Sequence, residues 1–398
     1  IFIGENVSCV KEIYTLNLDG MVLIKACEEA CAPRYSFKRM VNAKGLHYEN
    51  TPVATVNLRE RVLNHLPKTF ERKNGTDYSF QDVIDGKITP DEFVAEFTPE
   101  ELDAFTRGSL YMMDSPYGPK GNAGTFGANC QSLFDKGIPA ISTNDGPSGA
   151  RLQAHSTLLP NGVALASSFN DELVENLTYE FGKEVIARKS HVLLAPGINI
   201  HRNPLCGRNF EYFSEDPYLT GKMAVAYIKG VQSAGASATP KHFACNNQES
   251  KRGINDSRVS QRALREISLM YAVIRCARHK YIHLRPYTVC LRFKSFEMLT
   301  LTVLHPPIGH NATLVAPIIT QNRSHKFIVK IVIYAIKLVV RSHKTIGVGF
   351  LYTNFKAFKG KSDGTLLKSL NGDDGITLAE LQRSAKNVLK LCIKHSAK

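Results

Sequence analysis

The chain has 398 residues, 43% of them hydrophobic, and a formal net charge of +14 at pH 7. That length suits two or three ordinary domains, or one large barrel with additional segments. No apolar run reaches the roughly 18 residues of a membrane-spanning helix, so the sequence predicts no transmembrane helix and we expect no membrane partner.

The cysteines and the first residues bear on the cellular compartment. The nine cysteines are scattered and form no CxxC pair, which argues against a disulfide framework and against a zinc site. Residue 1 is isoleucine, and no basic segment followed by an apolar one resembles a secretion signal. We therefore expect reduced thiols and a cytoplasmic protein, with neither a metal nor a cofactor.

The positive charge is concentrated in one part of the chain. Residues 271–361 contain 15 Lys or Arg and one acidic residue, Glu297, whereas the remaining residues are balanced in charge. Such a segment could attract an acidic partner. It carries no recognised nucleic-acid-binding motif and interleaves basic with β-branched residues, so we expect no nucleic-acid partner.

In chain order, residues 1–66 mix short strand-like runs with a helical stretch. They are predicted to be the end of a β-rich domain with a connector. Residues 67–270 follow as a barrel-type domain, in which 80–108 predicts two short helices. Thr98 and Pro99, followed by two glutamates, have the pattern of a helix start.

From Lys136 to Glu249 an apolar strand, a polar cluster and a helix recur. Strands are predicted over 138–143, 191–200 and 236–240, and helices over 171–188 and 218–234. This alternation predicts an α/β fold with a parallel sheet. Because a polar cluster follows each strand, we expect a partial (β/α)8 TIM-like barrel with its site at the carboxyl ends of the strands. The predicted fold also includes a short N-terminal β-rich remnant.

The alternation stops after about residue 269. Phe327–Val340 is a β-branched run with two lysines, which predicts a buried strand pair or, if exposed, an aggregation-prone surface. Residues 362–398 are predicted to be a C-terminal helical region. There Thr377 and Glu380 form a capping-box pattern ahead of an apolar helical face.

The polar clusters carry groups suited to an uncharged polyol. Lysine donates three hydrogen bonds and histidine one or two, and Lys241 and His242 adjoin at a strand end. Arg202 offers a planar fork for paired hydroxyls, and Asp145 can accept from two hydroxyls. Taken singly, a Lys-His pair is typical of a solvated surface and Asp-Gly-Pro of a turn. Three such clusters, each after an apolar strand, indicate a sugar-binding site.

Three blocks of the sequence resemble glycoside hydrolase family 3, and its β-glucosidases in particular. The blocks are NDGPSGAR at 144–151, NIHRNPLCGRNFEYFSEDP at 199–217 and KHFACNNQE at 241–249. Two further stretches, 57–67 and 118–127, are similar to members with permuted domains, in which a sandwich domain precedes the barrel. The resemblance covers about 1–270 and 363–393, the latter being similar to the closing helix of such members. It does not extend to the residues between.

The resemblance implies a retaining β-glucosidase that hydrolyses terminal non-reducing β-D-glucosyl residues. The implied substrate is a β-glucoside or an oligosaccharide. Positions that bind glucose in the family are matched by Asp145, Arg202, Lys241 and His242. Motif positions close to them are matched by Arg151 and Glu211.

The resemblance also implies two catalytic carboxylates that the chain lacks. The family's nucleophilic aspartate would fall near residue 320, yet no aspartate occurs between Ser257 and Ser362. In permuted members the acid/base glutamate lies in the sandwich domain, which would precede residue 1. We therefore assign no catalytic residue and expect a β-glucosidase that is inactive as this chain. The alternative is a non-catalytic sugar-binding pseudoenzyme. Residues 271–361 reflect either a disrupted coding frame, which we favour, or divergence.

Overall fold

The computed structural model describes most of the chain up to residue 268 and its C-terminal helical region. The described residues are 2–6, 9–15, 29, 32–42, 45–57, 60, 63–72, 77–109, 115–242, 245–250, 252, 257–268, 287–292, 298–303, 365–371 and 375–396. The strand pair predicted at Phe327–Val340 lies outside them, as does most of the basic segment.

Two antiparallel hairpins form the N-terminal part. β1 (Phe2–Asn6) pairs with β2 (Cys9–Glu12). β3 (Lys38–Val41) pairs with β4 (His47–Asn50). The side chains of β3 and β4 are mostly exposed, so these two strands bury little apolar surface.

Three short helices lie within residues 80–108, which the structure describes, where the sequence predicted two. They are α1 (Phe80–Ile84), α2 (Pro90–Ala95) and α3 (Pro99–Arg107). Each begins with a capping box, in which a Ser or Thr side chain and an acidic side chain satisfy each other's backbone N–H groups. The additional helix is α2. It begins there because Thr89 caps it and Pro90 fits its first turn. The predicted start of α3 at Thr98 is confirmed.

A four-stranded sheet occupies the middle of the chain, in the order β5-β6-β7-β8. Its strands are β5 (Gly124–Gly127), β6 (Ala140–Asp145), β7 (Val192–Leu194) and β8 (Ser237–Ala238). The pairs β6-β7 and β7-β8 are parallel, as predicted, whereas β5 runs antiparallel to β6. Helix α4 (Gln131–Asp135) connects β5 to β6.

Three helices connect the parallel strands. α5 (Gly162–Ser167) and α6 (Asp171–Ala187) lie between β6 and β7, and α7 (Pro217–Ser233) leads to β8. The two long helices agree with their predicted ranges. They approach closely at Gly230, where a Cβ atom would lie 2.2 Å from the carbonyl oxygen of Glu175.

A separate apolar core joins α1–α4 to the end of the chain. The last helices are α9 (Thr365–Lys368) and α10 (Leu378–Ser396). Glu380 N donates to Thr377 Oγ1 at 3.3 Å, which confirms the predicted cap. Leu381 and Leu389 of α10 are fully buried in this core. Gln382 bonds both backbone groups of Phe70, at 2.7 and 2.9 Å, and so ties α10 to the segment before α1.

The structure confirms an α/β fold, but it does not show the predicted barrel. Over the described residues the central sheet is open and mixed, with β5 and β8 at its edges. A short α8 (Gln261–Ala263) continues into a π-helical turn at Leu264–Ser268. β9 (Tyr287–Arg292) and β10 (Met298–Val303) then form an antiparallel pair of their own. The described strands therefore position the site on an open sheet.

Candidate functional site

Asp145 ends β6 and begins a tight turn that fixes its carboxylate. Gly146 has a φ angle of 143°, and a Cβ atom there would lie 1.7 Å from the carbonyl oxygen of Gly149. Only glycine fits this turn. Arg151 N donates to Asp145 O at 2.8 Å and closes it.

Lys241 follows β8, and its side chain is almost fully buried, with 1% of the residue exposed. Its backbone pairs with the segment after β7, since Lys241 N donates to Pro196 O at 2.8 Å and Ile198 N donates to Lys241 O at 2.7 Å. Its Nζ donates to Asp145 Oδ1 at 2.5 Å. The carboxyl ends of β6 and β8 therefore meet at an ion pair.

Two opposing effects act on the pKa of Lys241. Burial lowers the pKa of Lys241 because it disfavours the ammonium form, while the negative charges of Asp145 and Glu211 oppose that shift. The second oxygen of Asp145 lies 3.5 Å from Arg151 Nη1, and the Arg151 side chain is 64% exposed. Asp145 is thus held between one buried cation and one solvated cation.

His242 lies directly after Lys241 and is buried. Asn199 binds both sides of its backbone: His242 N donates to Asn199 Oδ1 at 2.7 Å, and Asn199 Nδ2 donates to His242 O at 2.9 Å. The ring Nδ1 lies 3.1 Å from the hydroxyl oxygen of Tyr212. Burial raises the pKa of the Tyr212 phenol, so the phenol remains protonated at neutral pH.

Two further carboxylates extend the polar network. Glu211 is buried and forms an ion pair with Arg208. Burial disfavours the charged guanidinium, but the hydrogen bond to Glu211 and the nearby negative charge outweigh it, so the pKa of Arg208 is raised. Glu249 accepts from Arg252 Nη1 and from Asn246 Nδ2, each at 2.8 Å.

The structure brings most of the predicted binding residues together. Asp145, Arg151 and Lys241 share one ion-pair cluster, and His242 adjoins it along the chain. Glu211 is close enough to influence the charge on Lys241. Arg202 differs, because it is exposed and its side chain pairs with none of the carboxylates that the structure describes. Contact of all six residues with a sugar stays a prediction.

Sequence reasoning missed four polar residues of this network. They are Asn199, Arg208, Tyr212 and Asn246. All four lie inside the blocks 199–217 and 241–249, so their location in dense polar motifs was the available signal. Their partners lie up to 43 residues away in the chain, and such pairings become visible only in the folded protein.

Within the part of the chain that the structure describes, no group of three His, Cys, Asp or Glu side chains could hold a metal ion. No described helix has the length and apolar character that crossing a membrane requires. The network offers charged acceptors and donors at the carboxyl ends of parallel strands, where open α/β sheets bind ligands. Such a set can recognise the hydroxyl groups of a neutral polyol.

Residues 125–272 match the family model described as the glycosyl hydrolase family 3 N-terminal domain. A β-glucosidase of Ruminococcus albus is 45% identical over 271 residues, which cover 67% of this chain and 28% of that protein. A β-glucosidase structure from Paenibacillus barengoltzii matches with a TM-score of 0.71 at 30% identity, covering 99% of this chain and 44% of that one. A β-glucosidase of Kluyveromyces marxianus in complex with glucose matches with a TM-score of 0.52 at 25% identity, covering 78% and 34%.

The chain thus spans less than half the length of these relatives. The segment that matches the family model contains the whole ion-pair cluster and the network around His242. Residues 125–272 are therefore assigned to the N-terminal domain of glycoside hydrolase family 3.

Proposed function

We propose that the chain recognises a terminal β-D-glucosyl residue of a β-glucoside or an oligosaccharide. The observation that carries this proposal is the ion pair between buried Lys241 and Asp145, with His242 and Arg151 beside it. The similarity to β-glucosidases, one of which was solved in complex with glucose, supports a sugar as the ligand.

The burial of Lys241 favours a binding role over a stabilising one. Removing two charges from water costs several kcal/mol per ion, by order of magnitude, and the attraction between them seldom exceeds this cost. Such pairs are therefore weak contributors to stability, and strongly perturbed ionisable groups cluster at functional sites. An ionised Asp145 can accept from sugar hydroxyls with its remaining lone pairs.

Hydrolysis by this chain is proposed to be slight or absent. Retaining glycosidases use two carboxyl groups about 5–5.5 Å apart, one as the nucleophile and one as the acid/base. The family resemblance places the nucleophile in a stretch without aspartate, Ser257–Ser362. The site carboxylates Asp145, Glu211 and Glu249 all form ion pairs, and these partners occupy carboxylate oxygens that a nucleophile would need free.

The same missing aspartate favours a second candidate, a sugar-binding pseudoenzyme. The two candidates share the binding site and differ in turnover. Release of nitrophenol from an aryl β-glucoside separates them. Hydrolysis that Asp145→Asn abolishes supports an active enzyme, whereas binding without hydrolysis supports the pseudoenzyme.

Calorimetric titration with glucose and with gluconolactone tests the shared proposal. We expect saturable heat at millimolar ligand and its loss in Asp145→Asn. A matched control is Asp171→Asn, because Asp171 also pairs with a lysine, Lys222, at 2.5 Å, but on the protein surface. This control should bind as the wild type does. An absence of heat with wild-type protein at these concentrations overturns the proposal.

A further inference from the structure

A continuous chain of hydrogen bonds leads from Glu249 to the imidazole ring of His242. Asn246 Nδ2 donates to Glu249 Oε1 at 2.8 Å and to the hydroxyl oxygen of Tyr212 at 2.8 Å. That hydroxyl oxygen lies 3.1 Å from His242 Nδ1. Tyr212, His242 and Asn246 are all buried, so water contributes little to these bonds.

The first link fixes the orientation of the Asn246 amide. An ionised carboxylate can only accept hydrogen bonds, and Glu249 forms an ion pair with Arg252 at 2.8 Å. The amide group facing Glu249 must therefore be the NH₂ group. Because the same nitrogen faces Tyr212, the phenol oxygen is an acceptor in that contact.

The next link fixes the direction of the phenol hydrogen. Tyr212 remains protonated, because burial raises the pKa of its phenol. Asn246 already donates to the phenol oxygen, so the phenol hydrogen is directed to its other partner, His242 Nδ1. A neutral imidazole that accepts at Nδ1 carries its proton on Nε2.

We propose that Tyr212 is a positioning residue that holds His242 in the tautomer protonated at Nε2, so that the ring is a neutral donor to a sugar hydroxyl oxygen. The role of the sugar rests on the proposed function above. The tautomer is a property of the free protein, and it can be measured without a ligand.

Nitrogen-15 NMR of histidine-labelled protein, at a pH where His242 is neutral, tests the tautomer. Protonated and unprotonated ring nitrogens resonate far apart, and loss of a signal pair in His242→Gln assigns the residue. We expect the wild-type signals to show a proton on Nε2. A proton on Nδ1 in the wild type overturns the proposal without the need for any variant.

Tyr212→Phe removes the phenol hydroxyl group that donates to His242 Nδ1. The expected result is a mixture of both tautomers. Tyr227→Phe is the matched control, since Tyr227 is equally buried but donates to Pro147 O at 3.0 Å instead. It should leave the His242 signals unchanged. Unchanged signals in Tyr212→Phe contradict the proposal.

Asn246→Asp is a second variant, in which we expect His242 to adopt the opposite tautomer. The carboxyl oxygen that replaces Nδ2 lies beside Glu249, so the two carboxyl groups share one proton, and this oxygen can still accept the phenol hydrogen. The phenol oxygen is then left to accept from Nδ1–H of His242. We expect the proton to move from Nε2 to Nδ1. Retention of the Nε2 proton in this variant means that Asn246 does not set the direction of the bonds.

Sugar binding gives the readout that links the tautomer to function. Because a mixture leaves the tautomer protonated at Nε2 only partly populated, Tyr212→Phe is expected to weaken glucose binding about twofold, in proportion to that population. If the wild type shows the Nε2 proton but binds no glucose, the proposed function fails while the tautomer assignment stands. If the wild type binds glucose with the proton on Nδ1 of His242, the tautomer assignment fails while the proposed function stands.

Discussion

The two ends of the central sheet differ in the chemistry that they carry. At the carboxyl ends, buried Lys241 pairs with Asp145, and the polar network around His242 adjoins them. At the amino ends of β7 and β8, hydrogen bonds to serine and histidine groups take the place of an ion pair with a carboxylate, and one of them comes from Lys394 Nζ to Ser237 Oγ at 2.7 Å. There His191 Nδ1 accepts from Ser142 N at 3.0 Å, and Ser237 Oγ lies 3.0 Å from His395 Nε2 of α10.

We expect this difference to separate the proposed sugar recognition from the stability of the fold. The amino ends are covered by the last turn of α10, whose apolar face is buried in the core shared with α1–α4. Burial of apolar surface stabilises the fold by roughly 25 cal/mol per Å². The carboxyl ends instead bury ionised groups, which stabilise a fold poorly. Changes at the two ends should therefore separate the loss of binding from the loss of folding.

Asp145→Asn should have the largest effect, because it leaves Lys241 buried without its counter-charge. Breaking a buried ion pair on one side costs about 3–5 kcal/mol, and glucose binding should be lost as well. Urea unfolding measures the first effect. The surface pair of Asp171 with Lys222 is the comparison, and Asp171→Asn should cost less than about 1 kcal/mol. Equal losses in the two variants would contradict the distinction.

Leu389→Ala should destabilise the protein by about 3 kcal/mol, because it opens a cavity in the core beneath α10. Leu389 is fully buried there, whereas Leu173 on α6 is 52% exposed and provides the control. Leu173→Ala should change stability by less than about 0.5 kcal/mol. Folded Leu389→Ala protein should bind glucose as the wild type does. A weakened affinity would show that the two ends are coupled.

His395→Phe should cost about 1 kcal/mol through loss of the bond to Ser237. The Ser237 hydroxyl keeps its bond from Lys394 Nζ at 2.7 Å, so no buried hydroxyl is left without a partner. Thermal unfolding measures the loss, and glucose titration should show no change. A loss of binding here would contradict the assignment of recognition to the carboxyl ends.

The lowered pKa of Lys241 predicts the smallest effect, a dependence of stability on pH. Below its native-state pKa both states hold the proton, so the cost of burying the charge is constant. Between that pKa and the ordinary lysine value, the unfolded state binds more protons, so stability rises with pH. As the pH rises toward the ordinary lysine value, the unfolding free energy of wild type minus that of Lys241→Met should therefore increase. A difference that decreases with pH would contradict burial as the cause.

The sequence predicted the elements whose signals are local. The cap at Thr98, the long helices α6 and α7 and the cap of α10 at Thr377 all depend on residues within one or two turns. The strand predicted over 191–200 was too long, because only Val192–Leu194 is a strand. Pro196 and Gly197 end it, and the following residues bond irregularly to the segment around Lys241.

Only part of the candidate site was predicted, because only some of its residues carry a local sequence signal. Asp145, Lys241 and His242 stand in conspicuous motifs at or shortly after the ends of strands, and Asp145 and Lys241 do meet at the carboxyl ends of the parallel strands. The role of Tyr212 depends on a ring 30 residues away in the chain, and no local pattern indicates that pairing. The antiparallel β5 was also missed, since its glycine-rich sequence gives a weak strand signal.

Hydrogen exchange with and without gluconolactone would show whether the ligand binds at the carboxyl ends of the sheet, because it reports on both ends of the sheet at once. We expect slower exchange in peptides that cover 145–151, 197–213 and 239–250, with no change around His191 or in the last turn of α10. No protection at the carboxyl ends, or protection confined to the amino ends, would contradict this expectation.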